Sequence, residues 1–470
     1  MMLCYVLHTL AFPVSASDMI PFESIVPDPY NQVYSRDVLS IQSLSHDAAN
    51  WATLCPELIY EILTYCLSGV TLSAVAPGFF PWYLGHICQS WRSVFTSSPP
   101  FWDRFTFEAS GRIEMATISR LERALALIDL CIERTKDHPF SFKFSGVTDT
   151  NTAQSLYSFQ ILENLVAHAD RWHAVCLIAD ADGLRKSLAK AKRRFGQLHS
   201  IQISTDGGTS SNIFQDAPNL TRAYVTNYYQ LLWSNITVLH IQLEPHNAHR
   251  FFANLDKMTY LEELVIRGSG FHDVGNTRPI ELPRLKILSA DHFFPLSLIT
   301  TPVLERLYLA GPLIRGIPAA ETLLRGVTHL KTLSLDVHNF EVTRIIDCTP
   351  KLDDLILSCN FITLFDALQS LLQSLASHST ARSLRRIKVG AHNSQPGVLV
   401  MVVLLIAIKS WEKRQFPKLR FVSVHVNGNG SEEGITSAVA DLMRVGAGKG
   451  FEIDVNFTPF PMIPLPFEIW

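Results

Sequence analysis

One pattern of apolar and polar positions returns along most of the chain: apolar, two residues, apolar, one residue, apolar. It occurs at Trp102/Phe105/Phe107, Trp172/Val175/Leu177, Leu198/Ile201/Ile203, Leu220/Ala223/Val225, Ile236/Leu239/Ile241 and Leu261/Leu264/Ile266. It continues at Leu285/Leu288/Ala290, Leu304/Leu307/Leu309, Leu330/Leu333/Leu335, Leu352/Leu355/Leu357, Leu384/Ile387/Val389 and Leu419/Val422/Val424. From Trp172 onward, successive phrases begin between 16 residues (Leu220 to Ile236) and 35 residues (Leu384 to Leu419) apart. The last two apolar positions alternate as along a strand and face inward, so the residues beside and between them line the opposite face. Pro precedes the leading residue by two positions at Pro218, Pro283, Pro302, Pro350 and Pro417, which suits the end of one segment before the next strand.

The segments between phrases read as helices where they are long enough. Residues 155–169, 184–195, 246–257, 364–377, 398–411 and 432–444 carry apolar residues at three-to-four spacing. Strand in and helix out, repeated, predicts an α/β solenoid over 104–470 with a concave parallel sheet and outer helices. The pattern resembles a degenerate leucine-rich repeat, whose usual Asn survives only at Asn360. Residues 140–144 alternate like a strand without the full phrase, and a last helix and a strand at 451–455 cap the array.

Residues 54–102 follow a different rule. Pro56 suits the first position of a helix. After it, Leu58, Ile62 and Tyr65 or Cys66 recur at helical spacing, with Ile59, Leu63 and Leu67 beside them. Leu84, Ile87, Cys88, Trp91 and Phe95 suggest a second helix after a loop spanning 71–81. Two short helices bury too little surface to be stable alone, so apolar area is left for something else to cover.

This stretch resembles an F-box. Leu54, Glu57, Leu58, Ile62, Leu63, Ile87, Cys88, Trp91, Arg92, Pro99 and Trp102 match the family pattern in order. Cys55 stands where the family usually has Pro, with Pro56 one place later, and the 71–81 loop is longer than usual. The stretch, including the Trp-Tyr-Leu-Gly-His run, is similar to F-box proteins of mushroom-forming fungi. The resemblance implies a domain over 49–103 that docks a Skp-family adaptor and, through it, a cullin. Leu54, Pro56, Glu57, Leu58, Ile62, Leu63, Ile87 and Trp91 would form the docking surface or its support. The solenoid would then select a protein target for ubiquitination, and the chain itself would be non-catalytic. The alternative is a leucine-rich-repeat interaction scaffold with no ligase role, in which the helical pair serves only as an N-terminal cap.

Composition narrows the classes. Hydrophobic residues make up 47% and charged residues 18%, which favours a folded chain. A formal net charge of −3 gives no global pull toward nucleic acid or an anionic membrane, and neither partner is expected. The eight cysteines form no Cys-x-x-Cys pair, so a disulfide framework and a zinc site are not indicated, and a cytoplasmic or nuclear location is expected. The apolar run 1–16 ends Pro-Val-Ser-Ala but has no basic residue before it, and 1–48 is expected to be a poorly ordered leader. The apolar run 398–408 is too short to span a bilayer.

No motif for a cofactor or a catalytic group emerges, and no cofactor is expected. Residues 446–450 lack the first Gly and the Ser/Thr of a phosphate loop and read as a helix-terminating turn. His246 and His249 have no evident carboxylate beside them and read as solvated. Arg185, Lys186, Lys190, Lys192, Arg193 and Arg194 read as the solvated face of a repeat helix.

The strand alternation allows the concave face to be written out: Arg222, Tyr224, His240, Glu263, Arg267, Arg306, Tyr308, Asp336, Asp354, Arg386, Lys388 and His425. Among these, Tyr224, His240, Arg267, Tyr308, Asp336 and Asp354 are the candidates for target binding. Aromatic and Arg side chains are the types that dominate interface energetics.

Overall fold

The computed structural model describes residues 54–75, 81, 84–85, 87–109, 118–146, 153–205, 212–226, 229–268, 279–291, 294–311, 317–337, 342–360, 383–392, 420–427, 440, 444 and 452–456. The expected leader, the helices at 364–377, 398–411 and 432–444, and the turn at 446–450 lie outside these residues or, for the third helix, almost wholly so. The chain divides into two compact units, one reaching to Asn164 and the other running from Leu165 onward.

The first unit opens with α1 (Pro56–Leu67), with Pro56 in its first turn as expected. The second helix, α2 (Gln89–Ser97), starts later than its apolar spacing suggests. Cys88 holds an extended backbone at its N-cap, so Leu84 and Ile87 precede the helix, and Arg92 Nε donates to the Gly85 carbonyl at 2.8 Å across that approach. Ile59, Leu63, Cys66, Leu84, Trp91, Val94, Phe95, Phe101 and Trp102 are buried as the core of this pair. The stretch read as a connecting loop contains a two-residue strand, β1 (Leu72–Ser73), which pairs in parallel with β2 (Arg104–Glu108). β2 in turn pairs in parallel with β3 (Phe140–Ser145), the alternating segment without the full phrase. Phe105 and Phe107 stack on Phe142 and Phe144 across this pair, with ring centroids 6.0 and 5.5 Å apart. Between the strands runs α3 (Ile118–Thr135), which lies outside the phrase pattern and carries Leu121, Ala124, Ile128, Cys131 and Ile132 as its buried stripe. Tyr157 and Asn164 of the following helix, α4 (Ala153–Ala167), hydrogen-bond Glu122 and Asp129 of α3.

The second unit is the repeat. Its strands are β4 (Trp172–Ile178), β5 (Ser200–Ser204), β6 (Arg222–Val225), β7 (Val238–Leu243), β8 (Glu263–Gly268), β10 (Ile287–Asp291) and β12 (Arg306–Ala310). They continue with β13 (Thr332–Val337), β14 (Asp354–Asn360), β15 (Arg386–His392), β16 (Phe421–Asn427) and β17 (Glu452–Asn456). They lie side by side in that order, and the pairings between neighbours are parallel. A separate parallel ladder joins β9 (Ile280–Glu281) to β11 (Ile299–Thr300) in the return segments. The described helices are α5 (Ala181–Ala189), α6 (Pro245–Leu255), α7 (Ile317–Arg325) and α8 (Val342–Asp347). α5 ends at Ala189, short of the expected 195, and α7 and α8 are helices outside the segments expected from three-to-four spacing. The α/β class and the parallel repeat sheet are as the phrase predicts.

The phrase works through two local devices. The residue that opens it closes a β-turn: Leu220 N–H donates to Ala217 O, Leu285 to Leu282, Leu304 to Thr301 and Leu352 to Thr349, each at 3.3 Å. Pro218, Pro283, Pro302 and Pro350 are therefore the second residue of these turns, where the fixed φ of proline is favourable. The second device links successive turns. Asn219 Nδ2 donates to Gly196 O at 2.6 Å, Asn235 Nδ2 to Pro218 O at 2.7 Å and Ser383 Oγ to Pro350 O at 3.0 Å. Each side chain just before a leading residue thus satisfies a carbonyl in the preceding turn. Asparagine does its ladder work here rather than after the strand.

Candidate functional site

Two surfaces stand out. The first is on α1, where two apolar stripes run along one helix. Ile59, Leu63 and Cys66 are buried, whereas Leu58 is 52% exposed, Tyr65 is 69% exposed and Ile62 is half-buried. Positions 58, 62 and 65 recur at helical spacing, so the exposed residues line one face beside the buried one. Pro56 and Glu57 are exposed at the start of that face, and Leu54 and Ile87 are half-buried. Leu63 and Trp91 are fully buried and lie beneath the surface as its support, not on it. Tyr60 leans on Phe101, with ring centroids 5.1 Å apart, and Phe101 stacks on Phe95 at 6.2 Å. The exposed stripe is therefore held on a well-packed base.

The second surface is the sheet face opposite the inward apolar pairs. The pairing register lines up Tyr224, His240, Val265, Ser289, Tyr308, Ser334, Ile356, Lys388 and Ser423 as one row across β6 to β16. A second row, two residues earlier, runs Arg222, Val238, Glu263, Ile287, Arg306, Thr332, Asp354, Arg386 and Phe421. Gln242 pairs with Arg267, and Asp336 pairs with Ser358, on a third row. β8, β10, β12 and β13 are consecutive neighbours, so Arg267, Tyr308 and Asp336 fall on strands within three steps of one another.

The central row is not a solvent-facing row. Tyr224 and His240 are each 6% exposed, and Val265, Ser289 and Ser334 are also buried. Strands ~4.8 Å apart bring long side chains of adjacent rows over the middle one, which sequence alternation alone does not register. Tyr224 packs edge-on against His240 with centroids 4.5 Å apart. His240 Nε2 lies 2.7 Å from Glu263 Oε1. Beyond Tyr308, Arg386 on β15 grips Asp354 on β14 through Nε and Nη2, both at 2.6 Å. Burial pushes the Tyr224 hydroxyl above its ordinary pKa; Glu263 adds to that push and Arg222 opposes it. Burial likewise raises Tyr308, with Arg306 pulling it down both by its charge and by a side-chain hydrogen bond, and Asp354 and Glu263 pushing it up. Both phenols therefore keep their protons at neutral pH. Tyr308 and Arg267 are half-buried, and the Arg267 Nε is enclosed without a hydrogen-bond acceptor.

A further ladder follows the leading residues of the phrases from Leu261 onward, with a charge at the same place in each. The residue directly after each leading Leu reads Glu262, Lys286, Glu305, Lys331, Asp353, Arg385 and Arg420. Ion pairs join Lys286 to Glu262 at 2.9 Å, Lys331 to Glu305 at 3.2 Å and Arg385 to Asp353 at 3.6 Å. The sign alternates over six successive strands, which penalises any arrangement that slips one repeat past another.

The remaining chemical candidates resolve into structure. His246 does have a carboxylate near it, Glu244 at 3.3 Å, contrary to the sequence reading. Among the described residues no three His, Cys, Asp or Glu side chains gather as metal ligands would. The basic segment is shared between α5 and the turn after it, and Arg185, Arg193 and Arg194 pair with Asp182, Asp216 and Asp170. Cys66, Cys131 and Cys176 are buried, and burial pushes the Cys131 thiol far up. No described helix is long and apolar enough to cross a membrane.

No protein-family model matches the chain, and no curated protein matches it. Among solved structures it is similar to a chain in the crystal structure of the Rad7 and Elc1 complex in yeast, at 12% sequence identity over 81% of this chain and 86% of that chain. The TM-score of that likeness is 0.35, too loose to carry an argument about fold or function.

Proposed function

We propose that this chain is the substrate-recognition subunit of a Skp–cullin–F-box ubiquitin ligase. In this reading α1 and the segment around α2 dock a Skp-family adaptor, the repeat sheet receives a target protein, and partner subunits perform the transfer. No catalytic role is assigned to this chain. The observation that supports the reading most is the apolar stripe of Leu58, Ile62 and Tyr65, with Leu58 and Tyr65 exposed and Ile62 half-buried, on a helix whose other stripe is buried. The helix lies within the residues that resemble an F-box, and leaving such a stripe in water is unfavourable unless a partner covers it.

One observation favours the second reading, a repeat scaffold with no ligase role. β1 lies between the two helices and pairs with β2, so the helical pair is stitched to the first phrase strand as a cap would be. Co-purification with a Skp-family adaptor separates the two. Leu58→Asp would put an unpaired charge into a desolvated contact and should abolish adaptor recovery while leaving the circular dichroism of the chain unchanged. Adaptor recovery equal to that of the parent would sink the ligase reading and leave the scaffold.

A further inference from the structure

Charge on the repeat sheet is unevenly spent. On this face of β6 to β15, three carboxylates have internal partners. Glu263 is held by His240 at 2.7 Å, Asp354 by Arg386 at 2.6 Å, and Asp291 Oδ2 accepts the Gly268 N–H at 2.9 Å. The cations are not matched in the same way. Among the described residues no ion pair joins Arg222, Arg306 or Lys388 to a carboxylate, and Arg306 hydrogen-bonds the Tyr308 side chain. Arg267 adds an enclosed Nε that lacks an acceptor.

We infer that the occupant of this face is an extended acidic segment of a protein partner, its carboxylates meeting Arg222, Arg306 and Lys388. The inference rests on the reading of the sheet as the target surface and names the chemistry of the target. The row of Tyr224, Val265, Ser289, Tyr308 and Ser334 gives a closely packed floor; Arg222 and Arg306 flank it on the neighbouring row, and Lys388 continues the floor row on β15. Arg222 on β6 and Arg306 on β12 are separated by four strand steps, ~19 Å at ~4.8 Å per step. Arg306 and Lys388 on β15 are separated by three, ~14 Å. An extended chain advances ~3.4 Å per residue, so carboxylates about six and about four residues apart reach successive cations. Charge complementarity of this kind fixes register and partner choice more than raw affinity.

Fluorescence anisotropy on the full-length chain tests this with a labelled peptide carrying Glu at those two intervals in a Gly, Ser and Tyr background. A Gln version and a version with its Glu residues bunched together are the comparisons. The spaced Glu peptide should bind at least about tenfold more tightly than either, and the difference should shrink as salt rises. Joint Arg222→Ala and Arg306→Ala substitution should cost about tenfold for the Glu peptide while the fold, checked by circular dichroism, is kept. Arg306→Glu should transfer preference to a peptide with Lys at the facing position, a rescue that a merely structural role would not give. Equal binding of the Glu and Gln peptides, equal binding of the bunched peptide, or an unchanged double variant would each overturn the inference. Adaptor recovery measured on the same samples reports on the ligase reading separately: a chain that holds the adaptor but ignores the peptide removes this inference alone.

Discussion

Trp102 and Trp172 occupy the same place in two different parts of the chain. Each ends a short 3-10 turn that follows a helix, and each donates its indole N–H to the carbonyl seven residues earlier, Phe95 at 2.8 Å and Leu165 at 3.0 Å. In both cases the accepting residue lies in the last turns of the preceding helix, so the indole ties the helix end to the strand that follows. Both rings are buried. The tryptophan thus plays the role that a leading Leu plays elsewhere, with an added polar handle.

That equivalence predicts the effect of removing the handle. Trp172→Phe should destabilise the chain by about 2 kcal/mol, from lost volume and a lost buried hydrogen bond, with the Leu165 carbonyl still served by the His168 N–H. Trp102→Phe should cost a similar amount. Urea unfolding of both variants checks this; a cost below about 0.5 kcal/mol at either site would show that the bond is incidental.

The alternating charges after each leading Leu predict a difference between deletion and reversal. Lys286→Ala removes one half-exposed ion pair and should cost less than about 1 kcal/mol. Lys286→Glu places an acid between Glu262 and Glu305, whose backbones flank it through the 2.8 Å Lys286 N–H to Glu262 O and Glu305 N–H to Lys286 O bonds. It should cost clearly more than the deletion, and added salt should narrow the gap. Thermal unfolding of both variants at low and high salt reads the gap, and a salt-independent result would count against the ladder.

Gly268 ends β8 with φ +152°, and a Cβ there would lie 2.2 Å from the Leu243 carbonyl oxygen on the neighbouring strand. Gly268→Ala should therefore cost about 3 kcal/mol or more, combining backbone strain with a clash that no side-chain rotation can relieve. Its N–H is also the donor to Asp291, so the acid that the sheet face keeps engaged depends on this backbone. Denaturant unfolding of the alanine variant is the measurement, and parent-like stability would mean that the two strands part easily here.

Asp103 predicts a pH dependence. Burial pushes its carboxyl from 3.8 up to about 6, against the lowering pull of Arg104 and His138. The folded chain then holds this proton more tightly than the unfolded chain. Stability from this group is undiminished below the unfolded value, falls as pH rises through the interval from 3.8 to about 6, and stays reduced above it. Asp103→Asn should raise the unfolding free energy by about 1–2 kcal/mol at neutral pH, a figure discounted for partial solvent access, and leave it unchanged near the acid end of the interval. Melting curves across that range decide the matter; equal gains at both ends would assign the effect to something other than the proton.

The sequence by itself determined the repeat. Twelve phrases were legible because a strand's alternation and the turn that precedes it are local, and each of the twelve carries a strand in the structure. The same locality let Leu58, Ile62 and Tyr65 be read as a helical stripe, and let Arg222, Glu263 and Arg306 be assigned to one sheet face. What the tertiary structure decided depends on neighbours 16 to 35 residues away in sequence but one strand away in space. Burial of Tyr224 and His240, the bidentate hold of Arg386 on Asp354, and the pairing of Lys286 with Glu262 all arise from register between strands. No single phrase contains that register. Likewise α1 shows two apolar stripes in sequence, and only packing of α1 against α2 decided which one would be buried. Periodicity names the faces of an element; the neighbour that arrives decides which face it covers.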